Sequence, residues 1–424
     1  MSEIFEFYQE QAKASSLPEP WLASLQREAL NDFSHYGFPS RKNEEWKYTS
    51  LDPFMQQRFY NSLKSGSGSQ NKAQDLLPLG HQLVICDGQI INNLHEFEQQ
   101  LPKGMLVLPL LEAVNQHADK VKPYLAQLLK HEHGFHALNT AILQTGVFIY
   151  LPKGVCLTEP LVLAHWQSKQ EQAVYPRHLI VAEPESEATI IETFNGQENL
   201  NYLTNVITEI ALAQKAKLVH YKIQNESKAA LHIGHLAVKQ AKQSHFESHS
   251  ISVGGRLVRS DISISLEEEQ AQCLMNGLYL PRDNQHMDHH TTVSHHVPSC
   301  QSNQDYKGVL AGRSRAVFNG KVIVAKDAQH SEARQQNKNL LLSAQAEVDT
   351  KPQLEIFAND VICTHGATVG QLDEDALFYM ASRGISCEQA NRYLIQAFVT
   401  ENLNRIPHSK MREWIANLIN TQLE

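Results

Sequence analysis

Apolar and polar residues alternate in short runs over most of this chain, and the runs recur. EATIIETF from Glu187, KAKLVHYKI from Lys215, QSHFESHSI from Gln243 and QAQCLMNGLYL from Gln270 begin 28, 28 and 27 residues apart. Each opens on a small or polar turn residue and continues with period-two alternation, the pattern of a strand with two unlike faces. Short strands at a fixed period in the twenties, with no helical pattern between them, predict a β-solenoid; a sandwich or up-and-down barrel is the alternative. Related pieces return at SRAVFNGKVIV from Ser314 and AEVDTKPQLEIF from Ala346, after intervals that imply an insertion. VFIYLPKGVCL and PLVLAHW extend the strand texture back toward Gln82.

Helical patterns lie at the two ends. After Pro18 and Pro20, the apolar residues Trp21, Leu22, Leu25, Ala29, Leu30 and Phe33 predict a helix of about 14 residues that ends near Gly37 and Pro39. PSRKNEEWKYTSL follows without a period, and SGSGSQ at 65–70 has the composition of a flexible linker. Residues 1–75 therefore read as a helical appendage tethered to a β-helical body at 76–360. At the other end, LEIFANDVICTHGATVGQLDEDALFYMASRGIS passes from strand to helix at 354–386. Asp373 is placed to cap, Glu374 and Asp375 suit the positive end of the helix dipole, and Gly384 follows the apolar run, which predicts a helix from Glu374 to Arg383. Ser386 and Gln389 form a capping box ahead of the stripe Ala390, Tyr393, Leu394, Ala397 and Phe398. A further helix after Pro407 carries Met411, Trp414, Ile415, Leu418 and Ile419 on one face. Residues 361–424 thus read as a helical domain that covers an open solenoid end, with both stripes packed on the solenoid or part of their surface docking a partner.

Composition narrows the function. The chain has 424 residues and a net charge of -9, which argues against nucleic acid or an anionic membrane as a general partner. MSEIFEFYQE lacks the basic and apolar regions of a signal peptide, and no apolar run approaches a membrane span. The six cysteines are far apart with no CxxC, so reduced thiols in a cytoplasmic protein are expected, and no local stretch supplies two thiolates to a metal. The 22 histidines are the compositional oddity.

No motif for catalysis emerges. HEHGFH resembles a zinc-protease motif, but His131 and His136 are five apart rather than four, with Gly134 between them. GxSxG, GxGxxG and P-loop patterns are absent, so no ATP site of the chain's own is expected. HMDHHTTVSHH, His286 to His296, gathers Asp288 and five histidines, yet in an alternating strand His289 and His290 face opposite sides, as do His295 and His296. Ladder and surface histidines are the expectation there. Cys363 and His365 share one face of a strand end and are candidates for metal or thiol chemistry; the plain alternative is a buried free thiol beside a hydrogen-bonded core histidine. These features leave an assembly scaffold or a β-helix carbohydrate-active enzyme. The latter normally carries secretion signals and carboxylate clusters, and neither is found.

PSRKNEEWKYTSL, FHALNTAILQTGVFIYLPKGV, DHHTTVSHHVPSCQSNQDYKGVLAGRSRAVFNGKVIV and above all residues 354–386 resemble the SufB/SufD family of the SufBCD iron–sulfur cluster assembly complex, over nearly the whole chain. THGATVG stands where SufB has an EHEATTS-like sequence, and Asn337 where SufB has a cysteine, so the resemblance is to the SufD branch rather than to a SufB-like cluster holder. It implies a right-handed parallel β-helix between helical N- and C-terminal domains, and a scaffold rather than an enzyme. It also implies pairing with SufB through the β-helix, docking of the SufC ATPase on the C-terminal helices, and a transient iron–sulfur cluster at the SufB interface. His365 becomes a candidate iron ligand there, with Cys363 the weaker one. A homodimer in the absence of SufB is compatible with an open β-helix edge. On this reading, removal of residues 386–424 abolishes SufC binding and leaves the solenoid folded.

Overall fold

A computed structural model describes residues 3–61 and 77–423; the linker expected at 65–70 lies outside them. Its centre is a parallel β-solenoid of about eight turns, with successive strands falling alternately into two long sheets. The strands Glu187–Gly196, Lys217–Asn225, His245–Ser252 and Gln272–Tyr279 are neighbours in one sheet, as the repeat predicts. Arg315–Val324 and Glu347–Ile356 belong to the other sheet. The longer interval before them is therefore not an insertion but a change of sheet. Six coils turn a corner on a non-glycine residue with positive φ ahead of the strand in the first of these sheets: Glu185, Lys215, Gln243, Gln270, Ser299 and His330. Lys215, Gln243 and Gln270 are the polar residues that open three of the repeats.

Inside the solenoid, inward residues from both sheets form one apolar core that includes Ile190, Ile210, Leu218, Phe246, Met287 and Phe318. Register makes this packing tight. Gly277 lies opposite Tyr306 on the next rung, and a Cβ there would meet the buried ring at 2.1 Å. Gly277→Ala is expected to cost about 1–3 kcal/mol by overpacking, read as a lower thermal midpoint with an unchanged far-ultraviolet spectrum; an unchanged midpoint would show that the ring has room to move.

Both sheets are also covered on their outer faces, as parallel sheets require. The N-terminal residues cover one of them. Helices Glu3–Lys13 and Pro20–Tyr36 pack with Trp46, Phe54 and Phe135 on Leu203, Leu231 and Leu257. Pro20 opens the second helix, and Gly37, at φ 60°, ends it with its N–H donating to the Phe33 carbonyl. The expected tethered appendage packs as a layer of the fold: Tyr8, Phe33, Trp46 and Phe54 are buried, and buried Arg259 lies over the Trp46 ring. That layer extends past residue 76 to helix Gly134–Ile142.

Helices Cys387–Leu403 and Ser409–Leu423 cover the other sheet. Asp373 and Ser386 cap as predicted, each accepting backbone N–H groups of the following turn. The first of the two stripes is rotated, however: Ala390, Ile395, Val399 and Leu403 are buried, while Tyr393 and Ala397 are exposed. The boundary drawn at residue 361 falls just before a last solenoid strand, Ile362–Gly370, so helix resumes only at Glu374. Among the described residues no helix is long and apolar enough to cross a membrane.

Candidate functional site at the open end of the solenoid

The strands Ile362–Gly370 and Glu347–Ile356 are the terminal strands of their sheets, each paired on one side only among the described residues. Such an edge presents a row of unpaired backbone groups to another chain. The surface around it is apolar: Phe357 is 63% exposed and Ile362 57%. Helix Glu374–Ser382, which follows, buries none of its residues and displays Phe378 and Tyr379.

His365 and Cys363 lie on this terminal strand. Cys363 pairs with Ala333 and His365 with Gln335, both buried, so the two residues face the solenoid interior at its uncovered end. Their fates differ. Cys363 is half-buried against the apolar cluster that includes Val322, Val324 and Ala333, and burial pushes its thiol pKa up, which lowers the thiolate fraction at neutral pH. His365 is exposed, and its ring makes no hydrogen bond among the described residues. It is the end rung of an inward-facing column that continues through Gln335, Gln304, Met275, Ser248 and His220.

Gln335 occupies the space left by Gly320, whose Cβ would meet its amide nitrogen. Both polar atoms of the Gln335 side chain are buried without a partner. Asn337, in contrast, is fully engaged. Its Nδ2 donates to the Tyr279 hydroxyl at 3.0 Å and to the Tyr306 carbonyl at 3.2 Å, and its Oδ1 accepts from Thr350 at 2.9 Å and from Asn339 at 2.6 Å.

The histidines of 286–296 are not gathered into one site. His289 points inward and stacks on Tyr279, and His295 Nε2 is 2.9 Å from Ser302 Oγ. His286 and His290 point outward, but the N-terminal layer covers them, so they are not the expected surface residues. His286 Nε2 lies 2.9 Å from the Thr49 hydroxyl, and His290 lies 2.9 Å from Asp288 and 3.1 Å from Glu45. Asp288 also accepts from Arg259 at 2.6 Å and from Thr49 at 2.5 Å. Burial alone would raise the Asp288 pKa, but the charges of Arg259 and then His290 outweigh it and hold the carboxyl well below the usual range. Arg259 further binds Asp261, donates to the Glu45 carbonyl at 2.8 Å and lies over the Trp46 ring.

This buried ion network had only a faint signal in the sequence, two charged residues two apart in LVRSDISISL. His131 is likewise structural, with Nδ1 2.7 Å from Asp32 and Nε2 2.9 Å from Thr140. The six cysteines are all free.

Comparison with known proteins agrees with this architecture. Residues 2–163 match the SufBD protein N-terminal region, and residues 165–398 match the SufBD core domain of SUF-system iron–sulfur cluster assembly. The chain is similar to iron–sulfur cluster assembly protein SufD of Escherichia coli, at 32% identity over 93% of this chain and 91% of that one. It is also similar to a SufBD-family protein of Synechocystis, at 29% over 95% and 91%, and to SufD of Bacillus subtilis, at 24% over 95% and 94%.

Proposed function

The chain belongs to the SufBD family of SUF-system iron–sulfur cluster assembly proteins, and on that premise we propose that it is the SufD-type scaffold subunit, which completes a cluster-forming site without holding the cluster alone. The observation that carries this reading is the terminal strand Ile362–Gly370, unpaired on its outer edge, with exposed His365 on its inward face. A SufB subunit that continues both sheets would cover Ile362, Phe357 and the interior column. It would also set its own thiolate beside His365. A neutral imidazole is a suitable iron ligand, and a single one needs ligands from elsewhere, which fits a transient cluster shared across the interface. Asn337, saturated by hydrogen bonds, supports a non-holding role at the position where SufB has cysteine.

Cys363, packed and with a raised pKa, is the weaker ligand. Exposed Phe378, Tyr379 and Tyr393 give the C-terminal helices a face suited to SufC, whose ATP hydrolysis would drive rearrangement at the interface. The same edge accounts for a homodimer when SufB is absent. The working compartment on this reading is the cytoplasm.

The test is anaerobic co-purification of tagged wild type and His365→Ala with SufB and SufC, alongside maturation of iron–sulfur enzymes in cells. Unchanged subunit stoichiometry with maturation reduced about tenfold or more is expected, the scale of a disturbed metal site. Unchanged maturation removes His365 from the site, and failure to retain either partner removes the scaffold assignment.

A further inference from the structure

We propose that His133, His136 and Asp261 form a second site, distinct from His365, that binds a divalent first-row transition-metal ion such as Fe2+ or Zn2+. One ligand atom from each of the three lies within 4.8 Å of the others. The set is drawn from two layers. His133 immediately precedes helix Gly134–Ile142, His136 lies in its first turn, and Asp261 is on solenoid strand Leu257–Leu266, more than 120 positions later in the chain. That strand is the fourth from the open end of its sheet, and Asp261 faces outward toward the N-terminal layer, away from the interior column that ends at His365.

A second observation points to a ligand. His133 Nδ1 is buried and has no hydrogen-bond partner. Such an orphan costs about 1–3 kcal/mol unless a bound group satisfies it. The His133 and His136 rings lie against each other, tilted by 35° with centroids 3.7 Å apart, and the ligand-atom distances bring a nitrogen of each toward Asp261.

The surroundings also resemble the outer shell of a metal site, in which ligands are oriented by further hydrogen bonds. His136 Nε2 is 2.9 Å from His235 Nδ1, and the far nitrogen of His235 is 2.8 Å from Ser263 Oγ. Arg259 fixes the Asp261 carboxylate with contacts of 3.0 and 2.8 Å. Among the described residues the Asp261 side chain is bonded by Arg259 alone, so lone-pair sites on its oxygens remain for a metal ion. Two imidazoles and a carboxylate select a transition ion over Mg2+ or Ca2+, which take oxygen ligands. An ion here would fasten the N-terminal layer to the solenoid and stabilise the native state by mass action.

The test uses Co2+ as a spectroscopic probe, titrated into chelator-treated full-length chain carrying Cys363→Ala and His365→Ala, so that the interface site cannot contribute. We expect one equivalent to bind, with d–d absorption, no thiolate charge-transfer band, and a rise in the thermal midpoint. His133→Gln in that background should weaken binding about tenfold or more and abolish the rise. Its metal-free midpoint should shift by only a few degrees, since the ring contacts with Trp46 and Phe135 that are lost are offset by removal of the unpartnered nitrogen. His136→Gln should weaken binding in the same way, but with a lower metal-free midpoint because its buried bond to His235 is lost; should it fail to fold, His133→Gln decides. Absence of a one-equivalent complex, or a complex unchanged by His133→Gln, overturns the proposal.

Discussion

Deleting residues 386–424 is expected to yield an insoluble chain, not a folded solenoid that merely lacks a docking surface. The sequence alone suggested the gentler outcome. The packing reverses it, because Ile395, Val399, Leu403, Ile406, Met411, Ile415 and Ile419 are each at most 6% exposed and lie on Tyr221, Ile223, Ile251, Leu278 and Val309 of the sheet beneath. At about 1.5–3 kcal/mol for each buried side chain, the helices contribute on the order of 10 kcal/mol. That is comparable to the whole stability of a typical domain, about 5–15 kcal/mol.

Polar contacts lock the same layer. Lys307, 1% exposed, donates to the Phe398 carbonyl at 2.7 Å and pairs with Glu401 at 2.6 Å, and Asn402 donates to the carbonyls of Gly277 and Asp305. Without the helices, a long apolar strand face meets water and becomes a site for aggregation. Soluble yield, far-ultraviolet circular dichroism and dye binding to exposed apolar surface read the outcome. A soluble fragment that unfolds cooperatively would show that the sheet face is self-sufficient. Docking is better separated from folding by Phe378→Ser with Tyr379→Ser, since neither side chain is buried.

What the sequence disclosed followed from where solvent lies. The strands at Glu187, Lys217, His245 and Gln272 kept visible alternation because each begins at an exposed or half-exposed corner. Leu203–Leu212, by contrast, is buried at every position, since the N-terminal layer lies on its outer face, and its alternation carries little contrast. The second strand of each coil therefore carries no visible repeat, and the intervals before Ser314 and Ala346 suggest an insertion where the chain only changes sheet. The placement of His365 near the end of a strand that leads into a capped helix was legible, because both signals are local. The convergence of His133 and His136 with Asp261 was not, because only the docking of the N-terminal layer brings those segments together. Tyr393 was misplaced for a related reason: a helix with apolar residues on more than one side leaves its docking face to the sheet it meets.

Acidification from pH 7 to pH 5 is expected to remove most of the chain's stability, well before the carboxylates titrate. Burial lowers the His289 pKa to about 3; nearby Asp288 opposes this, while Lys222 adds to the lowering. Burial, helped by His296, lowers His295 to about 4. Both are neutral in the fold at pH 5, whereas the same residues in the unfolded chain take up protons near pH 6.5. The unfolded state then binds more protons, so stability falls with pH throughout the interval from about 6.5 to 4. Each of these two buried histidines costs about 2 kcal/mol by pH 5. His165 and His178, also buried and with lowered pKa values, act in the same direction. His290, whose pKa is raised by Asp288 and Glu45 against the effects of burial and Arg259, opposes the trend as a single group. The lowered carboxyls of Asp288 and Asp261 contribute stability that is present above the ordinary carboxylate pKa and lost only below it, so they govern a later phase. Urea unfolding at pH 7, 6 and 5 checks this. A midpoint that falls steeply across the series is the expected result, and His295→Gln, which stays neutral in both states, should lessen the slope. A midpoint that holds level to pH 5 would mean that protonated histidines are accommodated inside the solenoid, and that its interior is wetter than its packing implies.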